Sequence, residues 1–318
     1  MMPRGTPYRC RMSFSPLAGV YAAAITPLKS DYSLDLEGIP VLLDFLAKRG
    51  CHGALLLGTT GEGPSFASEE RLAIMRIATQ VRQSHPDFRL LAGTGTPSLT
   101  ETLALTKAAF DLGMDGVVVL PPYYFRKVTD EGLFNWFAQV LRQAVPEGGA
   151  LFGYHIPPVT GVPFSLDLLK RLKDAFPTRF AGIKDSSGDA SFARKLGESF
   201  GHELVVLTGN DRLFSLALES SAAGCITAMA NVISPLLRSV WDACQNGQSA
   251  SDIQQQLNYA RDVMERYPPA PPLLKVLLAR DYGLPAWAVR PPLVPIPPDS
   301  LQQAAKELEE AVSSYVNV

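Results

Sequence analysis

The chain has 318 residues, of which 47% are hydrophobic and 19% are charged, and its formal net charge is −2. This length is sufficient for one large α/β domain with a substantial core. The near-neutral charge and scattered basic residues give no electrostatic basis for binding nucleic acid or an anionic membrane surface. No run approaches the ~20 apolar residues of a membrane-spanning helix. We therefore expect neither nucleic acid nor a membrane as a partner.

The N-terminal segment, residues 1–15, is predicted to be a disordered tail. It contains three arginines and no acidic residue, and it lacks an apolar stretch of signal-peptide length. A weak organellar targeting segment is the alternative that this composition leaves open. The four cysteines of the chain favour a reducing cytoplasm, because they are widely spaced and form no CxxC pair that would indicate a disulfide framework or a zinc site. They are Cys10, Cys51, Cys225 and Cys244.

Short apolar runs then alternate with longer helical patterns. The predicted strands are 20–25, 54–57, 89–92, 116–120, 150–154, 180–184, 204–207 and 225–228. The predicted helices that follow them are 36–48, a helix from 68, 98–111, 129–144, 165–175, 190–199 and 212–222. Continuously apolar strands in eight strand–helix units predict a parallel sheet closed into a (β/α)8 TIM barrel. An open doubly wound sheet is the alternative, but the turn Gly93-Thr94-Gly95 lacks the third glycine of its nucleotide-binding fingerprint.

Beyond residue 235 no further strand is predicted. Four helical segments follow, at 236–245, 251–266, 272–279 and 300–312, and pairs of prolines interrupt them. We interpret them as a C-terminal helical appendix packed on the barrel. The predicted organisation is therefore a tail (1–15), a barrel catalytic domain (16–234) and a C-terminal helical region (235–318).

Lys184 is the most informative residue of the chain. It ends the apolar run 180–183 and precedes the polar turn Asp185-Ser186-Ser187-Gly188, which puts it at the strand ends where barrel enzymes carry their active sites. Burial favours the neutral amine of a lysine, and a neutral amine is the nucleophile that forms Schiff bases with carbonyl substrates. The structural alternative is a lysine that merely extends from a strand end into water.

Other predicted strands also end in polar or glycine-rich segments. The second is followed by Gly58-Thr59-Thr60-Gly61-Glu62-Gly63, whose backbone N–H groups and hydroxyls could hold a carboxylate or phosphate. The fourth runs into Pro121-Pro122-Tyr123-Tyr124, and the fifth ends in Tyr154 and continues to Gly161. A tyrosine in such a place is often only an aromatic plug, but a phenol near a Schiff-base lysine can transfer protons to and from the substrate.

The segments GTTGEG, YHIPPVTG and GIKDSSGD follow one another on these strand ends. Together they resemble the motifs of the dihydrodipicolinate synthase/N-acetylneuraminate lyase family of Schiff-base aldolases, and the resemblance extends from about Gly19 to Pro298. It implies a (β/α)8 barrel with C-terminal helices, usually assembled as a homotetramer that is a dimer of dimers. It also implies no metal and no organic cofactor, because the protonated imine on Lys184 is itself the electron sink.

The resemblance assigns roles to individual residues. Lys184 would condense with the keto group of pyruvate or another 2-keto acid, and Tyr154 would be the general acid and base over the imine. Thr59 would connect Tyr154 by hydrogen bonds to Tyr124, which in the family reaches into the neighbouring subunit's site. Thr59 and Thr60 would hold the carboxylate, and the Ile226 carbonyl would line the pocket. Further candidate substrate-binding residues at these strand ends are Gly58, Ser186 and Asn210.

One position departs from the synthases of this family. They carry an arginine two residues before the glycine of the tyrosine motif, where it binds the carboxylate of aspartate semialdehyde, and here that position is Val159. An aliphatic side chain cannot form the bidentate contact of an arginine. Arg126 is a nearby cation that could take over this role. Asp211 falls where the sialic-acid lyases use a carboxylate to hold sugar hydroxyls, so we expect a pocket for a hydroxylated substrate.

The favoured hypothesis is a pyruvate-type class I aldolase or lyase that acts on a 2-keto-3-deoxy or 4-hydroxy-2-keto acid. A dehydratase is a close variant, since the same imine acidifies C3 and could expel a C4 hydroxyl. The first alternative is dihydrodipicolinate synthase (4-hydroxy-tetrahydrodipicolinate synthase), which condenses pyruvate with aspartate semialdehyde. The alternative from another class is a non-catalytic relative that only binds a keto acid.

Overall fold

The structure is a computed structural model that describes residues 16–312. The predicted tail, residues 1–15, and the last six residues of the chain lie outside this range. Eight parallel strands form a closed barrel in the order β1 to β8, and β8 pairs with β1. The predicted (β/α)8 barrel is confirmed, and the open doubly wound sheet is excluded.

Every predicted strand and helix has a counterpart in the structure. The strands are β1 Gly19–Ala23, β2 Gly53–Leu56, β3 Arg89–Gly93, β4 Gly116–Val119, β5 Leu151–His155, β6 Phe180–Asp185, β7 Val205–Thr208 and β8 Gly224–Thr227. The helices are α1 Gly38–Lys48, α2 Ser68–Ala78, α3 Leu99–Asp111, α4 Asp130–Ala144, α5 Pro157–Thr160, α6 Leu166–Ala175, α7 Ala190–Phe200, α8 Phe214–Glu219, α9 Ala230–Gln245, α10 Ser251–Arg266, α11 Ala270–Tyr282 and α12 Pro298–Val312. Three short 3-10 helices cover Gly63–Ser65, Thr79–Gln83 and Asp211–Leu213. The four-residue helix α5 was not predicted.

The strands are buried on both faces, which explains their continuously apolar sequences. Inward-pointing side chains fill the barrel, among them Tyr21, Leu55, Leu91, Phe152 and Ile226. Outward-pointing side chains of the same strands pack beneath the helices in a second, larger core. Burying one Leu- or Phe-sized side chain contributes about 2 kcal/mol. This double burial fixes the strand ends, and therefore the side chains that project from them, in a rigid frame.

Several helices begin at a residue whose side chain caps the first turn. Ser98, Thr129, Ser165 and Asp189 each accept a hydrogen bond from a backbone N–H two or three residues further on. Such caps satisfy N–H groups that have no partner within the helix. They determine where α3, α4, α6 and α7 begin, and so they set the length of the loops that surround the barrel mouth.

The predicted boundary at residue 234/235 falls inside α9. This helix packs against β1 and α8, so it is the eighth helix of the barrel and begins before the region assigned to the appendix. Its backbone departs from helical geometry at Ile233, two residues before Pro235, whose ring and missing N–H interrupt the helical hydrogen bonds. The appended helices are α10, α11 and α12. None of the helices within residues 16–312 has the length and apolar composition needed to cross a bilayer.

Candidate functional site

Lys184 and Tyr154 lie side by side at the mouth of the barrel. They are paired in register on the adjacent strands β5 and β6, and their side chains are only 3% and 4% exposed. The Lys184 Nζ lies 4.1 Å from the centroid of the Tyr154 ring. The amine is thus held against an aromatic face instead of extending into water, which excludes the structural alternative for this lysine.

The phenol of Tyr154 is tuned by its neighbours. Burial alone would raise its pKa, but the positive charge of Lys184 and hydrogen bonds with Thr59, Lys184 and Ser186 together lower the pKa below its ordinary value. The Thr59 Oγ1 lies 3.4 Å from the Tyr154 hydroxyl oxygen. A phenol with a lowered pKa releases its proton more readily, which suits a group that exchanges protons with a substrate.

A tight loop after β2 presents Gly58 and Thr59 to the same cavity as Tyr154. Leu57 opens this loop in the left-handed backbone region, with φ 58°, a conformation that costs a side-chain-bearing residue roughly 1–2 kcal/mol. Its carbonyl oxygen would lie 2.0 Å from a Cβ atom on Gly63, so only glycine fits there. The Thr26 hydroxyl also donates to the Gly61 carbonyl at 2.6 Å. The loop is therefore held in one conformation.

Two of the remaining predicted residues lie next to this centre in the chain, and a third lies inside the barrel on β8. Thr60 follows Thr59 in the loop and is half-buried. The backbone N–H of Ser186 donates to the His155 carbonyl at 2.7 Å, which ties the turn after β6 to the end of β5. Ile226 is fully buried among the inward-pointing residues of the barrel. The structure thus brings Lys184, Tyr154, Thr59 and Ser186 together.

Asn210 and Asp211 have partners other than a substrate. The Asn210 side-chain oxygen accepts from the Arg212 N–H at 3.0 Å, which caps the short helix after β7. Asp211 is completely buried, and its Oδ2 accepts from Arg261 Nη1 at 3.0 Å. Its Oδ1 is also closed to solvent, and it has no hydrogen-bond partner within the described chain. The prediction that Asp211 holds substrate hydroxyls is corrected, because the ion pair with α10 engages Oδ2 and burial closes both oxygens to a substrate.

The edge of the barrel mouth is far more open than its interior. Tyr124 is 77% exposed, and its ring makes an edge contact with Phe125 at 5.3 Å between centroids. Within residues 16–312 no hydrogen bond joins Tyr124 to Thr59 of the same chain. Val159 is 56% exposed on α5. Arg126 packs against the end of this helix, where its Cδ lies 2.8 Å from the position that a Cβ on Gly161 would take.

Arg71 is a site residue that sequence reasoning missed. It is only 6% exposed and lines the same cavity as Thr59 and Tyr154. Its Nε donates to the Phe66 carbonyl at 3.0 Å, and burial lowers its pKa. The sequence feature that could have identified it is its position on the apolar face of α2, three residues before the buried Ile74. An arginine on such a face is costly to bury and indicates a specific environment.

Over the described range, no group of three or more histidine, cysteine, aspartate or glutamate side chains is arranged to hold a metal ion. A lysine amine placed as Lys184 is can act as a nucleophile toward a carbonyl compound, and the protonated imine that such a condensation gives is an electrophile.

Comparisons with known proteins agree with the motifs. The sequence profile of the dihydrodipicolinate synthetase family matches residues 16–311. An uncharacterized DapA-like lyase of Chloroflexus aurantiacus is 39% identical over 87% of this chain and 91% of its own length. The 4-hydroxy-tetrahydrodipicolinate synthase 1 of Streptomyces coelicolor is 34% identical over 88% of this chain and 89% of its own length.

Solved structures give the same result for the fold. One is YagE of Escherichia coli K12, a prophage protein of the dihydrodipicolinic acid synthase family that was solved in complex with pyruvate. It superposes with a TM-score of 0.86 and is 27% identical in sequence, and the match covers 93% of this chain and 98% of YagE. The dihydrodipicolinate synthase of Agrobacterium tumefaciens superposes with a TM-score of 0.83 at 30% identity, and the match covers 92% of this chain and 99% of that protein. The profile match over nearly the whole chain, the relatives and the shared barrel lead to one conclusion: this protein belongs to the dihydrodipicolinate synthetase family.

Proposed function

We propose that this protein is a class I aldolase or lyase that forms an imine between Lys184 and a pyruvate-type 2-keto acid. The observation that carries the proposal is the buried Lys184 amine, 4.1 Å from the Tyr154 ring, with the Thr59 hydroxyl beside the phenol. A binding protein for a keto acid would need no such set of reactive groups. The membership of the chain in a family with named lyases supports the same class.

The proposed reaction begins when the Lys184 ammonium group loses a proton, and the resulting neutral amine attacks the C2 keto carbon and water leaves. The protonated imine then accepts the electrons of the C3–C4 bond as the C4 hydroxyl loses its proton, so that an aldehyde departs and an enamine remains. Protonation at C3 and hydrolysis of the imine release pyruvate. Tyr154 exchanges protons with the substrate oxygen, and Thr59 and Thr60 hold the carboxylate. In the dehydratase variant the imine acidifies the C3 proton and the C4 hydroxyl leaves.

The preferred substrates are 2-keto-3-deoxy or 4-hydroxy-2-keto acids. Val159 supports this preference, because it offers no cation for the carboxylate of aspartate semialdehyde. The second candidate function is the synthase reaction with that aldehyde. The observation in its favour is Arg126, which packs beside Gly161 at the end of the helix that carries Val159, and which forms no ion pair within the described chain.

We further propose a homotetramer in the cytoplasm that works without metal or organic cofactor. The exposed Tyr124 and Phe125 support the assembly, because a ring that projects away from its own barrel can complete a neighbouring site. Activity is expected to survive exhaustive treatment with EDTA. Loss of activity that a divalent metal restores would instead indicate a metal-dependent aldolase.

The substrate assignment is tested by comparing kcat/KM across a small panel. Pyruvate release from 2-keto-3-deoxygluconate and 4-hydroxy-2-oxoglutarate is measured beside the condensation of pyruvate with aspartate semialdehyde. We expect cleavage to be the more efficient reaction, and Lys184→Arg to abolish it because a guanidinium stays protonated. Efficient condensation combined with no cleavage of either keto acid would reverse the assignment.

A further inference from the structure

A buried ion pair joins the loop after β2 to the C-terminal helical region. The Lys275 Nζ on α11 lies 2.6 Å from Glu62 Oε1, although the two residues are 213 positions apart, and both side chains are essentially unexposed. The other Glu62 oxygen accepts from the Arg290 backbone N–H at 2.9 Å. The Lys275 Nζ also donates to the Ala288 carbonyl at 2.6 Å. Each buried charge therefore has two hydrogen-bond partners.

Stability alone does not explain this arrangement. Desolvation cancels much of the attraction within a buried ion pair, and an apolar pair of similar volume is often at least as stabilising. Burial lowers the pKa of Lys275, and the negative charge of Glu62 only partly opposes that effect. Unlike an apolar contact, the ion pair forms hydrogen bonds that require a defined orientation of the two side chains. Hydrogen bonds to both oxygens fix the orientation of Glu62, whose backbone is left-handed with φ 54°.

The backbone of Glu62 connects this anchor to the candidate active site. Its N–H donates to the Thr59 carbonyl at 3.1 Å, and the next N–H, of Gly63, donates to the Gly58 carbonyl at 3.1 Å. Thr59 in turn places its hydroxyl 3.4 Å from the Tyr154 phenol. Only one short turn of backbone therefore separates the ion pair from the groups proposed to hold the substrate carboxylate.

We infer that Lys275 is a positioning residue for keto-acid binding, which acts by fixing Glu62 and through it the turn that carries Thr59 and Thr60. The C-terminal region would then be part of the catalytic apparatus as well as a cover for the barrel. The inference rests on the proposed function, because its readout is the binding of pyruvate at Lys184.

The same C-terminal segment offers a matched control. The Arg290 guanidinium holds the Glu70 carboxylate through two hydrogen bonds, of 2.8 and 3.0 Å, and also donates to the Ser65 carbonyl at 2.8 Å. This contact attaches the segment to the start of α2, outside the turn that carries Thr59. Glu70→Gln thus removes an ion pair from the same interface and leaves the pair of Glu62 and Lys275 in place.

The experiment measures borohydride trapping of the full chain over a range of pyruvate concentrations. We expect Lys275→Met to raise the half-saturating concentration by about tenfold, and Glu70→Gln to change it by less than about twofold. The double variant Glu62→Leu/Lys275→Met removes both charges, so it should recover thermal stability while its half-saturating concentration remains raised.

A double variant that binds pyruvate as well as the wild type would overturn the inference, because the pair would then serve stability alone. This comparison also decides the matter if Lys275→Met by itself fails to fold. An unchanged half-saturating concentration in a folded Lys275→Met protein would overturn the inference while leaving the proposed function intact. A wild-type protein that traps no pyruvate would overturn both.

Discussion

The two parts of the candidate site differ in how firmly the fold holds them. The inner wall, Tyr154 and Lys184, lies on adjacent strands and is 3–4% exposed. The rim, which we define as Tyr124, Arg126 and Val159, lies on a loop and a four-residue helix, and its tyrosine and valine are 77% and 56% exposed. Buried strand residues keep their geometry, whereas loop residues can vary without disturbing the core. We therefore expect the wall to set the type of reaction and the rim to select the second substrate.

Removing the wall's phenol is expected to have the largest effect among the substitutions that leave Lys184 in place. Tyr154→Phe should lower kcat by roughly 10²- to 10⁴-fold, the usual contribution of a general acid or base, while folding is preserved. Steady-state kinetics and a thermal melt measure the two quantities. Tyr259→Phe, on the exposed face of α10, is the control and should be unchanged. A loss below about tenfold would mean that another group transfers the proton.

At the rim, Tyr124→Phe should reduce kcat by about a hundredfold if the phenol completes a neighbouring site. Because each shared site would combine Lys184 of one subunit with Tyr124 of another, mixing inactive Tyr124→Phe and Lys184→Ala subunits should regenerate about a quarter of the sites. Activity of verified mixed oligomers is the measurement. No recovery would place Tyr124 in the site of its own subunit.

The substitution Val159→Arg tests whether the rim selects the aldehyde. It should raise kcat/KM for condensation with aspartate semialdehyde by about tenfold, because a guanidinium can bind the carboxylate in a bidentate manner. Arg126→Ala is the companion variant. If Arg126 supplies the missing cation, this variant weakens activity on substrates with a second carboxylate and leaves 2-keto-3-deoxygluconate unaffected. An unchanged preference for the acceptor aldehyde in Val159→Arg would mean that Val159 does not determine which aldehyde the site accepts.

A spectroscopic titration examines the wall without an assay of activity. The charge of Lys184 lowers the pKa of Tyr154, so one tyrosine should ionise below the ordinary range as the pH rises. In Lys184→Met that charge is gone, burial dominates, and the early ionisation should move to higher pH. The ultraviolet absorbance of tyrosinate measures this ionisation in the wild type and in Lys184→Met. Tyr154→Phe is the control that identifies which tyrosine gives the signal. Early ionisation that persists in Lys184→Met would mean that the charge of Lys184 does not lower the pKa of Tyr154.

The strands and helices could be predicted because their apolar patterns are local. Runs such as 116–120 and 204–207 read as strands from composition alone, and the structure shifts their ends by only one residue. The helix α5 was missed because Pro157-Pro158 resembles a turn, although proline suits the first turn of a helix. The start of α9 was placed too late because Pro235 looked like a boundary, whereas the helix continues through it with a kink.

The site was predictable only as far as residue type and order along the chain define it. Lys184 and Tyr154 were found because each ends an apolar strand, and adjacent strands bring such ends together. Asp211 was misassigned because its partner Arg261 lies 50 residues away and only the fold shows the contact. The pair of Glu62 and Lys275 was missed for the same reason. Long-range ion pairs leave no pattern in a single sequence, even where both partners are buried.

The most direct test of the central claim is to reduce the protein with borohydride in the presence of pyruvate and to map the adduct by peptide mass spectrometry. We expect one reduced pyruvyl group per subunit, located on the peptide that contains Lys184, and no adduct in Lys184→Ala. An adduct that still forms in Lys184→Ala, or one that maps to a different lysine, would show that Lys184 is not the imine-forming residue.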